Sequence, residues 1–241
     1  MKRKINPFWL IYLILVLYPL LVIMTIITSV LMIILSFIGD YRWCYIPAKY
    51  WGRAICAISF VRVKVVGDEN YEKNKSYIFI ANHQSIYDIF VVYGWLINKF
   101  KWVMKNTLRK IPFVGLACHK AGHIFIDRSN PIRAKRSLDE AKKKLRNGSS
   151  IVIFAEGSRT KNGKLGKFKR GAFKIAEDLK LPIIPVSIKG TFDIMPVFSY
   201  YIKPGKITVT FHEAIDTQNL NEQTMEEIIE TTRNVIQKGL Q

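Results

Sequence analysis

The segment around His83 contains the residue types that acid–base chemistry needs. An apolar run from Tyr77 to Ala81 precedes the histidine, and Asp88 follows it five positions later. A histidine can take a proton from an alcohol near neutral pH, and a carboxylate can hold its other ring nitrogen in the required tautomer. Residues five apart on a straight helix point about 140° apart. The pair can therefore meet only if His83 precedes a helix that has Asp88 in its first turn.

The same residues also allow a structural interpretation. Ser85 and Asp88 have the spacing of a capping box, with aspartate in the place of the usual glutamate. Ser85 would then begin the helix, and His83 would be a loop residue without a function. The two interpretations are compatible, because a carboxylate has two oxygens that accept hydrogen bonds.

Cations follow the ends of two other predicted strands. Arg128 comes directly after Phe125-Ile126-Asp127, and its guanidinium can bind a phosphate with two hydrogen bonds. Arg159 follows the second strand and precedes a loop rich in glycine and lysine, where backbone amides can also hold a phosphate. The loop does not fit a Walker P-loop, because Leu165 stands where Ser or Thr is needed. Each motif taken alone is equally consistent with an ordinary basic surface.

Three other classes of site are not predicted. His119 and His123 are four residues apart, but Gly122 interrupts the helix and no third ligand follows, so no metal site is expected. The three cysteines form no CxxC pair and no disulfide framework, which is typical of a reducing cytoplasmic environment. The chain also lacks the G-x-S-x-G motif of the α/β-hydrolases.

Strand patterns alternate with helical patterns after residue 60. We predict helices at 85–98, 131–146, 168–179 and 225–238. We predict strands at 61–66, 77–81, 101–104, 124–127, 151–155, 183–188 and 207–211. This alternation indicates an α/β fold with a mixed, largely parallel sheet flanked by helices.

The N-terminal segment is apolar. No charged residue occurs from Phe8 to Ile38, a run too long for a signal peptide and long enough to cross a bilayer. Pro19 is expected to kink or break it. Basic residues flank both ends, and the stretch from Tyr41 to Phe60 mixes aromatic and basic residues as interfacial helices do. We predict a two-helix membrane anchor over residues 1–60 and an α/β domain over 61–241, with a monotopic anchor favoured over a single span.

The formal net charge is +19. Such a surface attracts anions, either nucleic acid or anionic lipid. The apolar segment favours membrane lipids as the partner, and the sequence contains no recognised nucleic-acid-binding motif.

Four blocks in this order resemble the 1-acyl-sn-glycerol-3-phosphate acyltransferases. The blocks are Asn82-His83-Gln84-Ser85 with Asp88, Phe125-Ile126-Asp127-Arg128, Phe154-Ala155-Glu156-Gly157-Ser158-Arg159, and Pro182-Ile183-Ile184-Pro185-Val186. Lys105, with the Ile111–Gly115 segment behind it, resembles a further stretch of the pattern. Two residues depart from it, because Ala155 stands where the family usually has proline and Ser158 where it usually has threonine.

The resemblance implies a reaction and a set of site residues. His83 would act as general base and Asp88 would orient it, without a covalent intermediate, a metal or a cofactor. An acyl-CoA or acyl-carrier protein would donate a fatty acyl group to the sn-2 hydroxyl of lysophosphatidic acid, forming phosphatidic acid at the cytoplasmic face of a membrane, the inner membrane in a bacterium. The implied substrate-binding residues are Lys105, Arg128, Glu156, Gly157, Ser158 and Arg159.

Several alternatives stay open at this point. A related enzyme could acylate glycerol-3-phosphate, an ornithine lipid or another lysophospholipid. A non-catalytic protein could instead bind anionic lipid through its basic surface. The group that stabilises the oxyanion is also open, and backbone amides at the start of the helix near Ser85 are one candidate.

Overall fold

The computed structural model describes residues 6–38, 41–127, 149–217 and 222–241. Its strands are β1 Val61–Val66, β2 Ile78–Ala81, β3 Phe100–Lys105, β4 Ile124–Ile126, β5 Ser150–Phe154, β6 Ile183–Lys189 and β7 Gly205–Phe211. They form one sheet in the order β1-β7-β6-β2-β5-β3-β4. The strands β2 to β6 are mutually parallel, whereas β7 is antiparallel to β6 and parallel to β1. The predicted mixed, largely parallel sheet is confirmed.

The helices surround this sheet. They are α1 Pro7–Ile38, α2 Tyr45–Ile58, α3 Tyr87–Trp95, α4 Val114–Lys120, α5 Arg170–Leu179, α6 Thr191–Ile194 and α7 Glu222–Gly239. Three of the four predicted helices are present as α3, α5 and α7, with different ends. The fourth, predicted at 131–146, lies outside the described residues. The short helices α4 and α6 were not predicted.

Helix α1 continues through Pro19, so of the predicted kink or break at this residue the break is wrong. Proline lacks an N–H, and in a regular α-helix its ring would press on the carbonyl four residues earlier. A π-helical turn at Leu13–Leu17 directly precedes it, and the Tyr18 N–H donates to the Leu13 carbonyl, five residues back. The wider turn makes room for the ring. The N-terminal segment does form two helices, but the chain turns only after Ile38.

The sheet lies between two apolar layers. Alternate residues of β2 point to opposite faces, with Phe79 in the layer shared by α1, α2 and α3 and Ile80 in the layer shared by α5 and α7. All four residues of this strand are buried. The central strands are therefore packed on both faces, and this packing holds in place the loops that follow the strands.

Helix α2 packs closely on α3. A Cβ atom at Gly52 would lie 2.3 Å from the carbonyl oxygen of Phe90, so the two backbones approach as only glycine allows. The Trp51 ring also contacts the Phe90 ring edge to face, at 4.9 Å between centroids. The second N-terminal helix thus shares its core with the α/β domain, and the predicted boundary at residue 60 stays a prediction.

One edge of the sheet collects the segments that matter for chemistry. The carboxyl ends of β2, β5, β3 and β4 meet there because these strands are parallel neighbours. Since β1 and β7 run the other way, their amino ends reach the same edge. The start of α1 lies beside them, because the Trp9 indole N–H donates to the Ile202 carbonyl at 2.6 Å and the Tyr12 hydroxyl to the Ile58 carbonyl at 2.8 Å.

Candidate active site

His83 and Asp88 form a hydrogen-bonded pair at this edge. The Nδ1 atom of His83 lies 2.8 Å from Oδ2 of Asp88. The histidine side chain is 15% exposed and the aspartate side chain is fully buried. Helix α3 begins at Tyr87, so His83 precedes the helix and Asp88 lies in its first turn. The spacing argument from the sequence required this arrangement, and the structure has it.

The Asp88 carboxylate also organises the backbone before α3. Its Oδ2 atom accepts the N–H groups of Gln84 at 2.7 Å and Ser85 at 2.8 Å. The capping and dyad interpretations therefore hold together. These two amides are already used, so they do not supply the oxyanion stabiliser that we considered.

Ser85 caps the start of α3 as predicted. The helix is assigned from Tyr87, but Ile86 before it already has helical angles, φ −65° and ψ −25°. The Ser85 hydroxyl accepts the Tyr87 N–H at 3.3 Å and donates to the Met195 carbonyl at 2.7 Å. This serine ties the loop to the segment after α6 while it supports the first helical residue.

The His83 ring lies flat on the Phe154 ring. The two planes are inclined by 4° and the centroids are 3.9 Å apart. Phe154 is the last residue of β5 and pairs in register with Ala81 of β2, two residues before the histidine. A flat stack of this kind limits rotation of the imidazole and so restricts the direction in which its Nε2 atom points. The sequence analysis did not assign Phe154 to the site.

Glu156 connects two loops through its carboxylate. Oε1 accepts the His83 N–H at 2.8 Å, and Oε2 accepts the Gly166 N–H at 2.9 Å. Burial raises the pKa of the Glu156 carboxyl, while the hydrogen bonds from His83 and Gly166 oppose this rise. Both oxygens thus have partners in the protein, which makes Glu156 a positioning residue. Its predicted contact with substrate stays a prediction.

The glycine-rich loop after β5 is bound to the histidine loop at two further points. The Thr160 N–H donates to the His83 carbonyl at 2.9 Å. The Gln84 side-chain amide donates to the Gly163 carbonyl at 2.9 Å. The first and third sequence blocks are therefore one hydrogen-bonded unit.

The candidate cations stand at the ends of neighbouring strands. Lys105 ends β3, and Arg159 follows β5; both side chains are exposed. Gly157 has φ 75°, and its N–H donates to the Phe154 carbonyl at 3.0 Å, so the chain turns sharply there. Ser158 follows it and is exposed. Arg128 lies outside the described residues.

Ala155 gains a contact that proline could not make. Its N–H donates to the Ala81 carbonyl at 3.3 Å, one further bond between β5 and β2. The departure from the usual pattern at this position therefore strengthens the base of the site.

The surroundings of His123 and Cys118 suit a structural role for both residues. His123 is buried; its Nδ1 accepts the Trp102 N–H at 3.2 Å and its Nε2 lies 2.8 Å from the Tyr93 hydroxyl. Burial, together with the charge of Lys101, lowers the pKa of His123 to about 3. Burial raises the pKa of the Cys118 thiol to about 12, which makes it a poor nucleophile.

The comparisons with known proteins agree with this geometry. The family model described as Acyltransferase matches residues 62–189, which is more than half of the chain. This chain belongs to the acyltransferase family. The match begins in β1 and ends in β6, so it includes the His83–Asp88 pair and the loop after β5. The resemblance seen in the motifs is confirmed.

Relatives within the acyltransferase family have specific names. The chain is 32% identical to a chloroplastic 1-acyl-sn-glycerol-3-phosphate acyltransferase of Arabidopsis thaliana over 170 residues, 70% of this chain and 47% of that protein. It is 34% identical to the 1-acyl-sn-glycerol-3-phosphate acyltransferase of Saccharomyces cerevisiae over 175 residues, 71% of this chain and 57% of the yeast protein. The chain spans about half the length of the plant and algal relatives that it matches.

A crystal structure gives a match over nearly the whole chain. The 1-acyl-sn-glycerophosphate (LPA) acyltransferase PlsC from Thermotoga maritima superimposes with a TM-score of 0.82 and 29% sequence identity. The alignment covers 95% of this chain and 93% of that one. The acyltransferase fold therefore includes the N-terminal helices as well as the sheet.

Proposed function

We propose that this chain transfers a fatty acyl group from a thioester to the sn-2 hydroxyl of 1-acyl-sn-glycerol-3-phosphate, which yields phosphatidic acid. The observation that carries the proposal is the His83–Asp88 pair, held against Phe154 at the sheet edge. The names of the relatives and of the crystallised protein support the acceptor.

His83 is the proposed general base. Asp88 accepts the Nδ1–H, so Nε2 carries the lone pair that removes the proton from the acceptor hydroxyl. The hydroxyl oxygen attacks the thioester carbonyl carbon, and the C–S bond breaks as the tetrahedral intermediate collapses. The departing sulfur takes the proton from His83. In these steps one proton moves from the acceptor hydroxyl through His83 to the sulfur, and no metal or cofactor takes part.

The acceptor phosphate is the proposed ligand of the cations after β3, β4 and β5. Lys105 and Arg159 stand at the ends of adjacent strands, and Arg128 follows the end of β4 in the sequence. A bound phosphate would aim the sn-2 hydroxyl at His83, and positioning of this kind is worth about 7–11 kcal/mol in well-oriented reactions.

The outer surface of α1 supports membrane association. Within the described residues, α1 is the one helix that is long and apolar enough to cross a membrane, with 32 residues and an 18-residue stretch of mean hydropathy 2.8. Of the polar side chains in its middle, those of Thr25 and Ser29 donate to carbonyls of the helix itself. Its large exposed side chains are all apolar, from Phe8 to Ile38. Such a surface fits lipid and not water.

The contacts of α1 support an orientation along the membrane surface. It contacts the rest of the chain at Trp9, at Thr25 through the Trp51 indole, and at Phe37, whose ring lies 4.2 Å from the Lys120 ammonium. These contacts extend over about 42 Å of helix, whereas the hydrocarbon core is about 30 Å thick. A helix that crossed the bilayer would touch a domain on one side only near one end. We therefore propose a monotopic anchor at the cytoplasmic face.

An acyl-transfer assay on the purified full chain tests the proposal. Lysophosphatidic acid should be acylated from an acyl thioester, and His83→Ala should remove nearly all turnover. A panel of acceptors should include glycerol-3-phosphate, an ornithine lipid and a lysophospholipid without a terminal phosphate. A preference for one of these would replace the proposed acceptor. Lipid binding without transfer, unaffected by His83→Ala, would indicate a non-catalytic lipid-binding protein.

The acceptor phosphate can be tested separately. Arg159→Ala should weaken the use of lysophosphatidic acid by about 1.5–3 kcal/mol, the value of a charge-assisted hydrogen bond. An acceptor without the phosphate should be poor for the wild type and unaffected by the change. Equal losses with both acceptors would contradict the assignment.

A further inference from the structure

The C-terminal helix α7 contacts the glycine-rich loop that follows β5. Arg233 lies on this helix and is half-buried. Its Nε–H donates to the Gly166 carbonyl at 3.3 Å, and an Nη2–H donates to the Leu165 carbonyl at 3.4 Å. One cation thus binds two consecutive carbonyl groups at the end of the loop.

The Leu165 carbonyl and the Gly166 N–H belong to the same peptide group. Arg233 binds the oxygen of this group, and the N–H on its other side donates to Oε2 of Glu156 at 2.9 Å. A hydrogen bond to the oxygen of an amide polarises the amide and strengthens the bond that its N–H donates. The peptide group therefore connects a guanidinium to a carboxylate of opposite charge.

The second oxygen of Glu156 extends this connection to the histidine. Oε1 accepts the His83 N–H at 2.8 Å. Burial raises the pKa of the Glu156 carboxyl, and the N–H groups of His83 and Gly166 oppose the rise. A protonated carboxyl would present an O–H to one of these N–H groups, so both bonds need the ionised form. A more polarised N–H at Gly166 favours that form.

The peptide group and the carboxylate lie in close contact. A Cβ atom at Gly166 would lie 2.8 Å from Oε2 of Glu156, nearer than side-chain carbon atoms approach their neighbours. Glycine is therefore the residue that fits there. Because the contact is so close, the position of the peptide group determines where the Glu156 carboxylate can lie.

Helix α7 is itself fixed to the sheet. The Met225 and Ile236 side chains are buried in the layer that α7 shares with α5. The Ile236 carbonyl also accepts the hydroxyl of Ser187, a residue of β6, at 3.0 Å. Since β6 pairs with β2, which leads to His83, the sheet supports both ends of the connection.

We propose that Arg233 is a positioning residue for acyl transfer, acting on His83 through the Leu165–Gly166 peptide group and Glu156. The proposal rests on the proposed function and deepens it, because Arg233 lies outside the four sequence blocks and beyond the family match, which ends at residue 189. Arg233 holds the peptide group, and the peptide group holds the carboxylate that binds the backbone of the general base. Loss of this cation should lower the rate of the chemical step and leave the binding of both substrates unchanged.

The test is a double-variant cycle on the purified full chain, with Arg233→Met, Glu156→Gln and the two changes combined. Methionine keeps most of the apolar stem of arginine and removes its charge and donors. Lys238→Met is the matched control, because it removes an exposed cation from the same helix. Steady-state kinetics give kcat and the KM values for lysophosphatidic acid and an acyl thioester. Urea unfolding gives the stability of each variant.

We expect Arg233→Met to lower kcat about tenfold, as the loss of an outer partner of a functional residue does elsewhere. Each KM should change by less than about twofold. In the Glu156→Gln background the same change should lower kcat by less than about twofold, because the connection is already broken. Arg233→Lys should recover part of kcat, since an ammonium keeps the charge and can bind one of the carbonyls. The control should match the wild type.

Three kinetic results would overturn the proposal. Losses that multiply fully in the double variant would mean that Arg233 and Glu156 act independently. A higher KM for the thioester with unchanged kcat would mean that Arg233 binds a ligand in the recess that it lines. Lower stability with unchanged kcat would leave Arg233 a structural role alone.

The unfolding data separate this proposal from the proposed function. If the wild type transfers no acyl group, the proposed function fails. The connection between Arg233 and Glu156 is still measured, because unfolding needs no turnover. We expect the two changes together to alter the unfolding constant by less than the product of their separate effects. Effects that multiply in the unfolding data would contradict the connection itself.

Discussion

His83 is fixed from several directions by residues far from it along the chain. Asp88 holds one ring nitrogen, Phe154 covers one ring face, and Glu156 and Thr160 bind its backbone. Each restraint reduces the positions that the imidazole can take. A base with so little freedom loses little entropy when the reaction geometry is reached.

Asp88→Asn should separate the two functions of this carboxylate. The asparagine oxygen can still accept the amides of Gln84 and Ser85, so we expect the start of α3 to persist. The imidazole loses its charged partner, and turnover should fall on the order of 10²–10⁴-fold. The kcat and the unfolding temperature of the purified variant measure the two effects. Wild-type turnover would mean that Asp88 serves the helix start alone.

Glu156→Gln should perturb the site without touching the substrate. A glutamine presents one N–H₂ group where the backbone offers another N–H, so one of the bonds to His83 or Gly166 is lost and a repulsion replaces it. We expect a loss of about 1–3 kcal/mol in the free energy of unfolding and a fall in kcat larger than any change in KM.

The matched control for this change is Glu72→Gln, at an exposed carboxylate paired with Lys75. Its effect on stability should stay within about 0.5 kcal/mol. Urea unfolding and steady-state kinetics on both variants give the comparison. If Glu156→Gln raised KM for lysophosphatidic acid and left kcat unchanged, the substrate-binding assignment would be the correct one.

At the scale of elements, strands were more predictable than contacts. The strand at Val61–Val66 has the predicted bounds, because alternation and β-branched residues are local signals. Helix α4 was missed because it is seven residues long, begins soon after Pro112 and contains Gly115. The continuation of α1 through Pro19 depends on a π-helical turn, which no local pattern marks.

In the site, too, local features were easier to predict than contacts between distant segments. The spacing of His83 and Asp88 allowed their contact on one condition, that His83 precedes the helix and Asp88 lies in its first turn, and α3 meets this condition. The stack of His83 on Phe154 joins residues that are adjacent only because β2 pairs with β5. The partners of Glu156 likewise come from two different loops. Contacts of this kind follow from the register of the sheet and not from the sequence around either residue.

The connection between α4 and β4 should make stability depend on pH through His123. This residue is neutral in the folded protein because burial lowers its pKa from 6.5 to about 3. Because the pKa of His123 is lower in the folded protein, the unfolded chain binds the proton at a higher pH than the folded protein does. The stabilisation is therefore complete above pH 6.5 and is lost as the pH falls towards 3.

His123→Asn provides the test. The asparagine oxygen can accept the Trp102 N–H, but the side chain does not gain a proton in this range. We expect a lower free energy of unfolding at neutral pH and a smaller decrease between pH 6.5 and 3 than in the wild type. Denaturant unfolding at a series of pH values gives both curves. Parallel curves would assign the acid sensitivity to other groups.

At the scale of the whole molecule, the apolar surface of α1 continues onto other elements. Near its start, Phe198 and Tyr200 are 73% and 85% exposed. Near its end, apolar side chains around α4 are exposed, namely Leu108, Ile111, Phe113 and Leu116. Helix α1 packs against α4, so these groups widen one exposed apolar surface.

The monotopic arrangement predicts that residues near Lys2 and residues near Lys64 lie on the same side of the membrane. Single cysteines placed at these two positions, in a background without Cys44, Cys56 and Cys118, should both react with an impermeant reagent in inside-out vesicles. Neither should react from the outside of intact cells. Labelling of the Lys2 position alone from outside would establish a single span.

A second measurement separates a hairpin from a helix in the membrane plane. Ile23 lies in the middle of α1 and is half exposed. A fluorescent probe attached to a cysteine at this position should be quenched best by lipids brominated near the headgroup. Quenching that is strongest with bromines at the chain ends would place this residue at the centre of the bilayer and contradict the in-plane arrangement.

The reversed direction of β1 and β7 has a consequence for which acceptors can react. It brings the start of α1 to the edge where His83 follows β2, so the apolar helix and the proposed general base are fixed to the same sheet. In the proposed orientation, the depth of the base relative to the headgroups is then a constant of the fold. The sheet thus fixes the distance of His83 from the bilayer surface. An acceptor whose hydroxyl lies at a different depth cannot reach the histidine, even if the acceptor binds tightly.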